Sequence, residues 1–381
     1  MEQHAHFDYI IIGCGLAGLQ LALKMSEDVF FSEKRIALID PSEKNNNDKT
    51  WSFWEIEPSH WNNIVSKSWG KASAVTSTEN ISFSLKPYKY KSVRAIDFYN
   101  EAKKQLAKHP HFQFITETVT SVQAITKPTV TTENNTYSAN HIFDSRIPES
   151  FYKNSKKHIS LTQHFKGWVI KTEKDCFDEE TFTMMDFRLK DDEQTTFTYV
   201  LPFSKNEALI EFTYFTEHLV SEDTYDGFIE NYIRNYLKVD HYSITETETG
   251  QIPMTTFPFY KFNTNHVTKI GTGGGWVKPS TGYSFKHTEK KVSIIIENLK
   301  LNSTPSKGLF KRRFWFYDKV FLKVLKDDNH KGEWLFGQFY KKNHPKIIFK
   351  FLDEESNFWE ELKIMQSLFS WRFIKAFLKT L

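Results

Sequence analysis

The stretch DYIIIGCGLAGLQLALKM, residues 8–25, decides how the rest of the chain is read. Residues 8–12 form a short apolar run of strand type, Gly13, Gly15 and Gly18 follow in the spacing GxGxxG, and residues 19–25 carry a helical pattern. RIALID, residues 35–40, is a second apolar strand closed by Asp40. Each part has a physical task. Gly13 permits the tight turn, Gly15 lets a pyrophosphate approach the backbone, and Gly18 lets helix and strand pack closely. The helix N-terminus attracts the phosphate charge, and an acid at Asp40 can bind a ribose hydroxyl. Cys14, inside the turn, reads as a small neutral filler. The expectation is a parallel βαβ unit of a dinucleotide-binding, Rossmann-like lobe.

With 381 residues the chain is long for one hydrophobic core, so two lobes are expected. Its 50 basic and 47 acidic residues nearly cancel, which removes the global field that nucleic-acid binding would use, and no zinc spacing is present. The two cysteines, Cys14 and Cys176, are too few for a disulfide framework, and the 14 histidines are scattered, so no metal site is expected and a reducing cytoplasm fits. No apolar run is long enough for a spanning helix, and the N-terminus lacks the pattern of a cleaved leader. Aromatic residues make up 16% of the chain; much of this ring surface is core, and a long apolar ligand or a membrane surface would absorb the remainder.

Along the chain, the polar loop SEKNNNDKT (42–50) leads into WSFWE (51–55), a segment that reads either as a solvent-facing turn or as a ligand cover. Residues 93–107 have helical spacing with Ser92 placed to cap the start. Residues 112–122, 129–135 and 136–146 read as strands, the last ending in Phe143-Asp144-Ser145-Arg146. From 160 to 258 the period changes to two, and residues 166–173, 181–189, 196–203 and 208–215 read as consecutive antiparallel strands. The stretch VTKIGTGGGWVKPSTGYSF (267–285) then places Gly271, Gly273, Gly274 and Gly275 after a strand, a backbone nest suited to phosphate or a flavin ring. Residues 309–325 and 361–381 read as basic helices. In the second, Ile364, Leu368, Trp371, Phe373, Ile374, Phe377, Leu378 and Leu381 alternate with Lys363, Arg372, Lys375 and Lys379, a pattern that can lie in a membrane interface.

The expected organisation is α/β: a discontinuous Rossmann-like lobe (1–159 and 259–305), an inserted antiparallel β-sheet lobe (160–258) that receives the substrate, and a helical C-terminal region (306–381). Within the inserted lobe, KNEALIEFTYFT (205–216) holds a single carboxylate, Glu211, between Ile210 and Phe212. Leu209, Glu211, Thr213 and Phe215 share one face, and Ile210, Phe212 and Tyr214 the other. Neither face is clearly the wet one. Glu211 is therefore either a structural glutamate with a partner elsewhere or a neutral carboxylic acid kept ready to give up a proton.

GCGLAG with Asp40, DKTWSFWE, FDSR, MMDFR, LIEFTY and GGGWVKPSTGYSF, in this order, make the chain resemble the lycopene cyclase family nearly end to end. The resemblance implies non-covalent FAD used in its reduced state, NAD(P)H as its reductant, and conversion of lycopene through γ-carotene to β-carotene without net redox change. It implies that Gly13, Gly15, Gly18 and Asp40 hold the adenosine half of FAD, and that Gly271, Gly273, Gly274 and Gly275 approach the flavin. Glu211 falls on the family's essential acidic position. Asp186 is a second candidate acid, which the neighbouring strand could place beside Glu211, or else an ion-pair partner of Arg188. Thr272 departs from related flavoproteins that carry Asp there. Trp51, Phe53, Trp54, Trp276 and Tyr283 are candidate cavity or flavin-cover residues. A peripheral position on the cytoplasmic face of a membrane is expected. A flavin-dependent monooxygenase, a prenyl reductase and a non-enzymatic carotenoid-binding protein are the alternatives.

Overall fold

The structure is a computed structural model and describes residues 5–57, 60–124, 127–154 and 157–380. The first strand, β1 (Ala5–Ile12), runs through the glycine turn into α1 (Leu16–Ser26), and β2 (Ile36–Asp40) returns parallel to it. Then come β3 (Thr50–Ile56), β4 (Lys67–Trp69), β5 (Lys71–Val75), β6 (Asn80–Ser84) and β7 (Tyr88–Arg94), followed by α2 (Ala95–Leu106). Helix α2 starts without a side-chain cap: Arg94 occupies the cap position, and Ser92, expected to cap it, lies in β7. Next are β8 (Phe112–Thr116), β9 (Val119–Gln123), β10 (Thr129–Thr132), β11 (Thr136–Asp144) and the short α3 (Glu149–Asn154).

Four long strands follow, β12 (Ser160–Thr172), β13 (Thr181–Asp186), β14 (Thr196–Ser204) and β15 (Glu207–Thr216). After them come α4 (Glu222–Asn235), β16 (Tyr242–Thr255), β17 (Val267–Lys269) and α5 (Phe285–Lys300). The chain ends in α6 (Arg312–Asp327), α7 (Gly332–Lys342), α8 (Pro345–Leu352), α9 (Phe358–Ser367) and α10 (Trp371–Thr380). The segment 361–381, expected as one helix, is thus two, parted at residues 368–370; Leu381 lies outside the described residues.

The first sheet runs β8-β2-β1-β11-β10-β9, with β17 beside β11. Its central strands are apolar on both faces. Ile11 and Leu38 pack under α1, α2 and α5, while Ile10, Ile12 and Ile39 pack on the other side. That double burial explains the near-continuous apolar runs of β1 and β2.

The second sheet runs β16-β12-β15-β14-β13-β5-β6. Strand β12 therefore pairs with β15 and β16, not with its sequence neighbour β13. The outer partner of β13 is β5, running parallel, so residues 71–84 belong to this sheet although the sequence reading left them with the first lobe. One face of the sheet is covered by α4, through Tyr225, Ile229 and Tyr232. The other is covered by the C-terminal helices, through Leu322, Phe336, Phe349 and Ile364. The third, small sheet β3-β7-β4 lies at the junction.

A buried ionic group fastens the C-terminal helices to the turn that precedes α5. Lys278 and Asp318 are both fully enclosed, with Nζ 3.1 Å from the carboxylate and Glu354 at 3.8 Å. Removing one member of a buried pair strands the other charge in low dielectric. Asp318→Ala is expected to destabilise the fold by about 3–5 kcal/mol, read from the urea midpoint at unchanged slope; a loss under about 1 kcal/mol would show that Glu354 alone neutralises the lysine.

Candidate active site

A single cavity of about 880 Å³ runs from the glycine turn, past the second sheet, to the C-terminal helices. At its inner end it is lined by Gly13, Gly15, Gly18, Ser145, Gly271 and Thr272. Gly13 has φ +97°, and a Cβ there would meet Ser145 Oγ at 2.0 Å; one on Gly18 would strike the Gly13 carbonyl oxygen at 2.0 Å. Over Gly15 there is nothing within 4 Å. Two glycines thus serve close packing and the third leaves a cradle open in front of the free N–H groups of α1.

Asp40 braces this turn from behind. Its Oδ2 accepts from the Cys14 amide at 2.7 Å, and its Oδ1 accepts from the Ser42 amide at 2.8 Å and faces Lys44 Nζ at 3.2 Å. Burial pushes the Cys14 thiol up to about 12, so it stays neutral. The loop 42–50 lies at the cavity edge, where Lys44, Asp48 and Lys49 contribute to its wall. Of the four glycines at 271–275, Gly271 lines this cavity. Cβ atoms on Gly273 and Gly274 would meet backbone oxygens of Arg146 and Lys269 at 2.3 and 2.4 Å, and Gly275 packs under Phe259 with φ +68°. Those three have no room for a side chain and lie outside the lining of this cavity; Gly274 and Gly275 border a neighbouring one.

Midway along the cavity stands Glu211. Strand β15 is covered on both faces, so alternation sends Ile210, Phe212 and Tyr214 under α4 and Leu209 and Phe215 toward the C-terminal helices. Glu211 goes with the second set and lines the cavity, buried, accepting from Thr213 Oγ1 at 2.6 Å. Desolvation, then the nearby Glu248 carboxylate, raise its pKa well above the ordinary glutamate value, against the opposing Thr213 hydrogen bond. Directly opposite on β14 is Tyr199. Its hydroxyl contacts that of Tyr90 at 2.8 Å, and Tyr90 in turn contacts Tyr283 at 2.8 Å. Desolvation raises all three phenols far above the usual tyrosine value, so they remain neutral. The outer end is almost wholly apolar: Phe316, Phe321, Phe373, Ile374, Phe377 and Leu378 come from α6 and α10.

Asp186 does not join this site. It pairs in register with Thr198, which pairs with Phe212, so it faces α4 on the side opposite Glu211. There it accepts from Arg188 Nε at 2.9 Å and from the Tyr232 hydroxyl at 2.8 Å. The ion-pair alternative describes its placement. Trp51, Trp276 and Tyr283 line the cavity. Phe53 and Trp54 instead stack on Phe285 and Phe349, with ring centroids 4.2 and 4.7 Å apart, and are packing residues.

The sequence reading missed Tyr90, Tyr199 and Glu248. Glu248 lies in TETETG, whose alternation looks like a wet edge strand. The available signal was Gly167, whose missing side chain on β12 leaves room for a neighbour.

A carboxyl whose folded pKa is raised binds its proton more tightly folded than unfolded. The stability it contributes is fully present below the unfolded pKa and is lost as pH rises toward the folded one. Glu211→Gln removes that loss. Its thermal midpoint is expected to match the parent's near about pH 4 and to exceed it increasingly toward about pH 8; a gap that narrows with rising pH would contradict the raised pKa.

No curated protein matches this chain. Among solved structures it is similar to a geranylgeranyl bacteriochlorophyll reductase-like protein from Thermoplasma acidophilum, at 12% identity and TM-score 0.64, covering 99% of this chain and 100% of that one. It is also similar to a flavin-dependent brominase, at 11% identity and TM-score 0.62 over 92% and 94% of the two chains. A p-nitrophenol 4-monooxygenase from Pseudomonas putida gives 11% identity and TM-score 0.57 over 99% and 98%. At such identities these likenesses show a shared α/β fold and no more. The family model for lycopene cyclase protein, in contrast, matches residues 8–378, nearly the whole chain, and with it the chain belongs to the lycopene cyclase family.

Proposed function

We propose that this protein is a lycopene β-cyclase that closes β-ionone rings on the ends of lycopene, by way of γ-carotene to β-carotene, without net redox change. The observation that carries the reading is a buried carboxyl, Glu211, whose surroundings favour its acid form, held inside a long cavity with a glycine cradle at one end and an apolar opening at the other. Ring closure starts when a proton adds to a terminal alkene carbon. The resulting tertiary cation is attacked by a neighbouring double bond, and loss of a proton gives the ring. Glu211 is the acid, and Thr213 fixes the orientation of its carboxyl. The ring faces of Tyr199, Tyr283, Phe197 and Phe215 line the same space, stabilise positive charge and keep out water that would trap the cation as an alcohol.

The inner end fits FAD. The open space over Gly15 is a cradle that a Cβ would fill, and it lies before the N-terminus of α1. Gly13, Gly15 and Gly18 would hold the adenosine half, with Asp40 bracing their turn, and Gly271 and Thr272 would line the flavin side. Bound there non-covalently and reduced by NAD(P)H, FAD would supply negative charge that favours a cation in the cavity.

Expressed in cells that accumulate lycopene, the parent is expected to yield β-carotene by pigment chromatography. Glu211→Gln should retain FAD and lose at least about 100-fold in cyclisation, whereas Gly15→Val should lose FAD itself. Near-parental ring formation by Glu211→Gln would remove Glu211 from the chemistry. Substrate-dependent net consumption of NADPH or oxygen would favour a monooxygenase or reductase, and lycopene binding without turnover a carotenoid carrier.

The outer opening is proposed to rest on the cytoplasmic surface of a membrane, from which an apolar polyene enters. Met365, Phe369, Phe377 and Leu378 line the cavity and are also exposed, at 43, 72, 44 and 65%, with Trp371 beside them at 82%. Lys363, Lys375 and Lys379 are exposed on the same two helices, as expected at an anionic lipid surface. Among the described residues no helix is long and apolar enough to cross a membrane. Replacing Phe369, Trp371 and Leu378 together by Ser is expected to weaken binding to anionic lipid vesicles by at least about tenfold, measured by co-sedimentation. Unchanged partitioning would place the membrane contact elsewhere.

A further inference from the structure

The mechanism just proposed uses Glu211 and leaves Glu248 unexplained. In the sheet, Gly167 of β12 is the register partner of Glu211 on one side and of Glu248 on the other. A Cβ built on Gly167 would lie 3.3 Å from Glu211 Cβ and 3.4 Å from Glu248 Cγ. Two glutamates on strands that are not neighbours thus lean together over a bare position in the strand between them. Beyond the effect of desolvation, the Glu248 carboxylate is near enough to raise the pKa of Glu211. Each has a hydroxyl donor besides: Thr213 gives to Glu211 at 2.6 Å, and Thr50, from the start of β3, gives to Glu248 at 2.7 Å. Two carboxylates this close and this poorly solvated repel, which favours a single proton held by the pair.

The surroundings are the same from every packed element. Tyr199 from β14 and Tyr283 from the loop before α5 face Glu211 as neutral phenols. Thr50 and Glu246 face Glu248. Among the described residues neither carboxyl has a cationic partner; the nearby Arg94 guanidinium is engaged by Glu246, which also accepts from Asn47 at 3.0 Å. Glu246 is 40% exposed, so the carboxyls step from solvent through half-buried Glu248 to buried Glu211.

Resting on the cyclase reading, we propose that Glu248 is a positioning residue that forms a one-proton pair with Glu211, keeping the proton on Glu211 toward the cavity and restoring it from the solvent side. The balance closes within each ring. The proton leaves Glu211 as the alkene π pair forms the new C–H bond, and the second alkene π pair forms the ring bond. The proton lost from the ring goes to the carboxylate pair as its C–H pair becomes the ring double bond, and the pair exchanges that proton with solvent through Glu248 before the next closure. No oxidant or reductant is consumed. The arrangement follows the rule that two adjacent carboxyls cannot both ionise, which raises the proton affinity of one of them.

The test is an infrared titration of the FAD-loaded full chain in parent, Glu211→Gln, Glu248→Gln and Gly167→Ala forms. The parent is expected to show a protonated-carboxyl band at neutral pH that Glu211→Gln abolishes. Glu248→Gln, which removes the like charge, should move the midpoint of that band down by about one pH unit or more. Gly167→Ala keeps both acids but wedges them apart, and should shift it in the same direction. A band that survives Glu211→Gln, or a midpoint unmoved in both folded variants, overturns the proposal. The readout needs no turnover, so a chain that closes no rings but titrates in this way would refute the cyclase reading and leave the pair standing.

Discussion

A carboxyl group inside a sheet covered on both faces must either find a cation or keep its proton, because the interior cannot solvate the bare charge. Among the described residues Glu211 has no cationic partner. Its neighbours are a threonine hydroxyl, neutral phenols, aromatic rings and a second carboxyl, all of which leave the acid form favoured. The rest of the structure serves this constraint. Helix α4 closes one side of the sheet, the C-terminal helices roof the other, and the space left under that roof is the cavity. The chain retains in this way a group that lowers its stability as pH rises, which makes sense where the group is used.

The same cavity joins two environments with opposite demands. The inner end is made of backbone, with glycines and a helix terminus that suit phosphate. The outer end is made of Phe, Ile and Leu that suit hydrocarbon. Between them lies the hydroxyl chain of Tyr199, Tyr90 and Tyr283, whose phenols hydrogen-bond mainly to one another. A cation formed beside them would meet ring faces and little water. The aromatic content of the chain finds its place here as well as in the core: the rings of the C-terminal helices pack inward around Phe336 and Phe349 and spill outward at Phe369 and Trp371.

Much of this was legible in the sequence, and the misses share a cause. The turn at Gly13–Gly18 and the strand before it were readable because local sterics dictate them. Strand alternation gave the residues that share a face with Glu211, but not which face is the cavity. Glu248 and Tyr90 were not readable, because they reach the site through pairings between distant strands: β12 joins β16, and β7 inserts from the first hundred residues; Tyr199 stands opposite Glu211 across the β14–β15 hairpin, where only the register was missing. Asp186 was misplaced for the same reason, since the face of a residue relative to another strand depends on register, which its own sequence does not state. Gly273 and Gly274 are glycine because neighbouring backbone leaves no room for a Cβ, a contact that only the folded chain shows.

The central claim is that ring formation begins with a proton from a carboxyl that exchanges with water. The most direct measurement is the mass of the carotenoid formed from lycopene by the FAD-loaded protein in deuterated buffer. The account predicts one deuteron retained for each ring closed, with no net consumption of the nicotinamide donor. A ringed product without deuterium, or one formed with stoichiometric donor consumption, would contradict it.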